Sequence, residues 1–221
     1  MKRFELITIF PASLDSYFGA SILKRAQAKK LIKIQTHDLR KWTRDKHRKT
    51  DDKPYGGGAG MVMLAEPILR AVSAVKKGKR SRVVLLAANG KQFKQADAKR
   101  LAKYDQLVLI CGRYEGVDAR VEKFADEKLS VGKYVVTGGE LPAAMIIDAV
   151  SRFIPGVVGK EESVANESFS DGATLEHPHY TRPEVLVWKG KKYRVPKVLL
   201  GGNHKDIRAW RGNRSKKASI S

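Results

Sequence analysis

Apolar positions in this chain come in short continuous runs, set apart by segments with helical spacing. Residues 4–10 (FELITIF) predict a buried strand closed by Pro11, and residues 20–31 carry apolar side chains at helical intervals with Lys and Arg between them. A second strand is expected over 32–38. Residues 40–60 are polar, charged and finally glycine-rich, which predicts a loop. The pattern then alternates: a helix over 61–75, a buried strand over 82–87 (RVVLLA), a helix over 97–102, and a buried strand over 106–111 (QLVLIC). A helical piece over 118–124, a short strand within 127–136 and a helix over 142–153 with Pro in its first turn complete this part. Strands apolar along their whole length and separated by helices predict a parallel sheet covered on both faces, so the fold class is α/β.

Beyond Pro155 the period is lost. Residues 157–172 (VVGKEESVANESFSDG) are small, acidic and polar and predict a connector. The remaining stretch holds an apolar run at 185–188, a turn-like KGKK at 189–192 and an amphipathic basic segment over 203–214. About 45 residues form too small a core to stand alone, so this part is expected to dock on something.

Charge narrows the function. The 221 residues include 44 Lys and Arg against 23 Asp and Glu, a formal net charge of +21, which attracts polyanions. The distribution is uneven: residues 24–53 hold 12 basic and 4 acidic side chains, residues 189–217 hold 11 and 1, and residues 161–188 hold six acidic and one basic. Two basic blocks at opposite ends of the chain predict two contact surfaces for an extended nucleic acid. The single cysteine, Cys111, excludes an internal disulfide and fits a reducing compartment, and no apolar run approaches a membrane span. A cytoplasmic location is expected.

The candidate chemistry sits in glycine-bearing loops. The PYGGGAG run at 54–60 lacks the Lys-Ser/Thr of a nucleotide-triphosphate loop and the spacing of a dinucleotide fingerprint. CGRYEG at 111–116 follows the QLVLIC strand, and TGGELP at 137–142 follows an apparent Tyr134-Val135-Val136 strand. Beyond the carboxyl ends of parallel strands such loops let backbone groups approach a ligand, although each alone also reads as an ordinary turn. Asp171, beside Ser170 and Gly172, reads either as a solvated carboxylate or as a group ordered by substrate. Arg152 lies within ion-pair reach of Asp148 on one helix. His177 and His179 are two residues apart, not the helical metal spacing, so no metal is assigned to them. Trp42, Trp188 and Trp210 each stand near basic residues, compatible with base stacking or with docking.

Five segments together, DDKPYGGGAGM (51–61), CGRYEGVD (111–118), YVVTGGELP (134–142), LEHPHYTRP (175–183) and LLGGNH (199–204), resemble the bacterial tRNA (guanine-N1)-methyltransferase family, TrmD, in order and spacing over nearly the whole chain. The resemblance implies a SPOUT-type α/β domain with a deep trefoil knot over residues 1–160, a flexible linker over 161–172 and a small, mainly helical tRNA-binding domain over 173–221. It implies a homodimer in which the knot of one subunit and the linker and C-terminal domain of the other complete each site. It implies S-adenosylmethionine as methyl donor, contacted by Leu86, Gly112, Tyr114, Glu115, Val131, Gly132, Tyr134, Val136, Gly138, Gly139 and Pro142, with Asp171 and Arg152 as the catalytic pair. The substrate implied is the tRNA anticodon stem-loop, methylated at N1 of guanosine 37 where base 36 is G, with neither DNA nor membrane as partner. Mg²⁺ dependence is implied too, without a visible protein ligand set. One departure stands out: the family usually has Ser-Pro-Gln-Gly where this chain has AANG at 87–90, so Ala88 replaces a Pro in one wall of the adenine site. That change bears on donor affinity more than on the reaction. A non-enzymatic RNA-binding protein, or a knotted methyltransferase for another nucleotide, is the competing reading of the charge.

Overall fold

A computed structural model describes residues 1–159 and 167–217. The chain divides into two compact units, Met1–Glu161 and Glu162–Ser221. In the first unit the order is β1 (Lys2–Thr8), α1 (Asp15–Phe18), α2 (Ser21–Ala28), β2 (Ile32–Asp38), β3 (Asp51–Asp52), β4 (Val62–Met63), α3 (Ala65–Val75), β5 (Ser81–Gln92), α4 (Gln95–Ala102), β6 (Gln106–Cys111), β7 (Glu127–Ser130) and α5 (Glu140–Ser151). Five strands form one sheet in the order β2-β1-β6-β5-β7, and every pairing in it is parallel.

The period-2 alternation of a pleated strand explains why these strands read as continuous apolar runs. On one face Phe4, Leu6, Leu107, Leu109, Val84 and Leu86 pack with α2, α4 and α5; on the other Ile7, Val83, Leu85, Val108 and Ile110 pack with Ile68, Ala71, Val72 and Val75 of α3. Those four α3 positions recur at i, i+3, i+4 and i+7, one stripe of a helix.

Several boundaries differ from the sequence pattern. The helix expected over 61–75 begins at Ala65, because Met63 N–H donates to Gly116 and Leu64 N–H to Thr50 (2.9 and 2.8 Å), which draws residues 62–63 into pairing with β3. Residues 119–124 form a 3₁₀ turn rather than an α-helix, and the helix expected over 142–153 runs Glu140–Ser151. The apparent strand at Tyr134-Val135-Val136 is not one: these residues lie in an irregular loop with Val135 86% exposed, and no strand among the described residues pairs with them. The strand expected over 82–87 continues to Gln92 as β5, with an irregularity between Leu86 and Lys91, both of which pair with Leu129. The four residues between them leave the ladder, and they are the AANG segment.

The second unit contains β8 (Thr174–Leu175), β9 (Val185–Trp188), β10 (Lys191–Arg194), α6 (His204–Arg214) and β11 (Lys216–Lys217). Its described part is mixed rather than mainly helical. Lys189 and Gly190, with φ of +48° and +73°, form the two-residue turn that closes the β9–β10 hairpin. The first half of the connector expected over 161–172, residues 161–166, lies outside the described residues. From residue 167 onward it is a hydrogen-bonded turn, with Phe169 N–H donating to Thr174 (2.7 Å) and Gly172 N–H to Phe169 (2.9 Å). No helix among the described residues is long and apolar enough to cross a membrane.

Candidate active site

At the irregularity after Leu86 of β5 and at the carboxyl ends of β6 and β7 the first unit holds a cavity of about 390 Å³, within the range for small-molecule sites. Three loops wall it: the 87–89 excursion, the 112–117 loop after β6 and the 131–139 loop after β7. Ten of the eleven residues expected to contact a methyl donor line this one cavity: Leu86, Gly112, Tyr114, Glu115, Val131, Tyr134, Val136, Gly138, Gly139 and Pro142. The eleventh, Gly132, does not line it. A Cβ there would collide with the Tyr134 ring, so its bare backbone is what lets that ring lie where it does.

The loops are pressed together by backbone. Gly139 N–H donates to Gly112 (2.8 Å), and a Cβ on Gly139 would sit 2.6 Å from Cys111 Cα, a distance no side chain tolerates. On its other side the 112–117 loop is braced by the segment after the glycine-rich run: Glu115 N–H donates to Met61 (3.0 Å) and Asp118 N–H to Met63 (2.9 Å). The PYGGGAG run is thus joined to scaffolding of the cavity. Tyr114 adopts φ +59° in this loop. Left-handed backbone in a non-glycine residue costs roughly 1–3 kcal/mol and persists only where its surroundings impose it.

A buried ionic link joins the same loops. Glu140, at the start of α5 and 3% exposed, accepts from Arg113 Nε at 2.9 Å and from Thr8 Oγ1 at 2.6 Å. Arg113 Nη1 also donates to Thr137 O (3.3 Å), and its guanidinium lies 4.7 Å from the Phe10 ring centroid. Sequence reasoning missed Arg113 and Glu140, although one opposite charge in each glycine-bearing loop was the signal. The Cys111 thiol, fully enclosed beneath these loops, is pushed well above its ordinary range by burial and, secondarily, by Glu140. It is an inert packing group.

The lining suits S-adenosylmethionine. Leu86, Leu129, Val131 and Pro142 offer apolar walls for a purine, and the glycine loops offer backbone groups.

The expected catalytic pair is divided between the units. Arg152 follows α5 as its C-cap, half-buried, with its N–H on Asp148 O at 3.3 Å. Asp148 Oδ2 accepts from Tyr17 OH at 2.5 Å. Asp171 belongs to the second unit and is exposed. Its Oδ1 accepts from the N–H groups of Ala173 (2.9 Å) and Thr174 (2.7 Å), and its Oδ2 from Thr174 Oγ1 (2.5 Å). The Thr174 hydroxyl, followed by the two backbone N–H groups, holds this carboxyl down to about 2.

All basic side chains of the 189–216 stretch are exposed, as are those of 24–53 except the partly covered Arg40. Of the tryptophans, Trp42 packs edge-on to His37 under the sheet and Trp210 meets His177 and Tyr180, while Trp188 on β9 is 63% exposed.

The first unit is therefore a parallel α/β domain with a small-molecule cavity in the crevice beyond its strand ends. Residues 1–220 match the family model described as tRNA (Guanine-1)-methyltransferase TrmD. A tRNA (guanine-N(1)-)-methyltransferase of Geotalea uraniireducens is 49% identical over 215 residues, covering 96% of this chain and 85% of that protein. Those of Dictyoglomus turgidum and of Geobacter sp. strain M21 are 51% and 48% identical, covering 96% and 99% of this chain and 84% and 87% of theirs. The chain belongs to the TrmD family of tRNA methyltransferases.

Proposed function

We propose that this protein transfers a methyl group from S-adenosylmethionine to N1 of guanosine 37 in tRNAs whose base 36 is G, working in the cytoplasm. The observation that carries the reading is the single cavity shared by ten of the residues expected to hold the donor. When bound, S-adenosylmethionine supplies an electrophilic methyl carbon on a good leaving group. The chain's task is to prepare the nucleophile and align it.

Guanine N1 carries a proton at neutral pH, and negative charge moves toward O6 as that proton leaves. Asp171 is the general base that takes it, a role typically worth about 10² to 10⁴ in rate. With its carboxyl at about 2 in the free protein, Asp171 is a weak base while Thr174 and Ala173 occupy it. Release from that turn on tRNA binding raises its basicity at the moment it is needed. Arg152, a permanent cation, stabilises the charge growing at O6. Guanine 37 is splayed out of the anticodon stack, which costs a few kcal/mol, offset by contacts in the pocket.

We assign residues 1–160 to the methyltransferase domain, with the knot formed where the 137–139 segment crosses the 111–113 segment, residues 161–172 to a linker, and residues 173–221 to tRNA binding. The working form is a homodimer in which each site draws on both subunits. Leu141 and Met145 lie one turn apart on α5 and are 61% and 50% exposed, next to the Tyr17–Asp148 contact, an apolar strip suited to a second copy. Mg²⁺ enters this proposal as a requirement of the reaction, with no protein ligand assigned to it.

The test is a methylation assay on transcripts carrying G36-G37 against A36-G37, alongside calorimetry with S-adenosylmethionine. Saturable donor binding and methylation of the G36 transcript alone are expected. Equal methylation of both transcripts, or of neither, rejects the assignment.

A further inference from the structure

Outside the methyl-donor cavity, the second unit gathers side chains that no step above uses. Glu176, His177 and His179 place one carboxylate oxygen and two imidazole nitrogens within 4.8 Å of one another, as the one such cluster among the described residues. His179 Nε2 lies 3.1 Å from Glu176 Oε1, and the two imidazole centroids are 4.6 Å apart. Two ligands about 2.0–2.1 Å from a tetrahedral ion stand roughly 3.4 Å apart. Small side-chain adjustments therefore bring this triad onto one ion. Pro178 stiffens the backbone between the two histidines, and Trp210 of α6 meets His177 edge-on with centroids 6.2 Å apart, a backstop for that ring.

We propose that Glu176, His177 and His179 form a binding site for a divalent transition ion of the Zn²⁺ class. Two imidazoles and one carboxylate suit such an ion, whereas Mg²⁺ prefers an all-oxygen shell. Three protein ligands leave a position open to water or an anion, in a cavity of about 540 Å³ that Arg208 and Arg211 also line. Those two guanidiniums, countered by Glu167 and Glu176, keep the affinity below that of a closed four-ligand site. A bound ion ties residues 176–179 into one corner beside α6.

The experiment uses the untagged full-length protein, titrated with Co²⁺ followed by visible absorption and with Zn²⁺ followed by calorimetry. The expected result is saturation at one ion per chain, unaffected by excess Mg²⁺, weakened by Glu176→Gln and lost in the His177→Ala/His179→Ala variant. Absence of saturable Co²⁺ or Zn²⁺ binding overturns the proposal, as does undiminished binding in the double variant. Imidazole NMR of the wild-type chain decides independently of variant folding: Zn²⁺ must shift the His177 and His179 rings, and selective shifts at His37, His47 or His204 instead overturn it.

Discussion

The two units differ in how they hold their chemistry. The first buries two aliphatic clusters on opposite faces of a five-stranded sheet, while the second has no buried residue among those described. Each fully buried Leu, Ile or Val contributes roughly 1.5–3 kcal/mol, so the first unit can afford strain such as φ +59° at Tyr114 in a loop that walls its cavity. The second unit has exposed basic side chains, an exposed Trp188 and an Asp171 bound up in its own turn. An enclosed cavity in one unit and an unburied polar surface in the other is the division expected when one ligand is small and the other is a large polyanion that supplies the missing packing.

The contrast can be broken most sharply at Asp171. Asp171→Asn is expected to lower turnover by about 10² to 10⁴ with donor affinity unchanged, measured by single-turnover methylation and calorimetry. Retained turnover removes Asp171 from the mechanism. The Thr174 hydroxyl and the two backbone N–H groups hold this carboxyl down to about 2, against an ordinary 3.8, so its contribution to the turn is complete above 3.8 and is lost as the pH falls through about 2. A carboxyl NMR titration reads that midpoint directly.

Next in size is the link between the loops. Glu140→Ala leaves Arg113 without its buried partner and is expected to destabilise the first unit by about 3 kcal/mol in urea unfolding, with weaker donor binding. A change confined to tRNA affinity contradicts this. Trp188→Ala tests the opposite unit: tRNA binding is expected to weaken by roughly 1–3 kcal/mol if a base stacks there, with donor affinity and melting unchanged.

The smallest expected effect lies in the cavity wall. Ala88→Pro, in the excursion between Leu86 and Lys91, is expected to tighten donor binding a few-fold by stiffening that wall. Weaker binding shows that the chain path at Ala88 is incompatible with proline.

Much of the first unit was legible because its strands are buried on both faces and its helices are amphipathic, as in β6 and α3. The residues that line the first unit's cavity were legible through the glycine-bearing loops and the motifs that contain them. What stayed hidden depends on distant partners. Met63 and Leu64 left the helix pattern for backbone bonds to Gly116 and Thr50. Tyr134-Val135-Val136 has strand composition but pairs with no strand among the described residues. Lys2 is buried at the start of β1, where burial pushes its ammonium down to about 7, because its Nζ donates to Leu101 O and Tyr104 O some 100 residues away (2.6 and 2.5 Å). The closeness of His177 and His179 escaped a rule framed for helices, because these residues lie in irregular chain.

The most direct measurement is mass mapping of methylated nucleosides after incubating the wild-type protein with total tRNA and isotopically labelled S-adenosylmethionine. The expected result is label on N1 of guanosine 37, confined to tRNAs with G at position 36. Label on another atom or nucleotide, or no label at all, contradicts the proposed reaction.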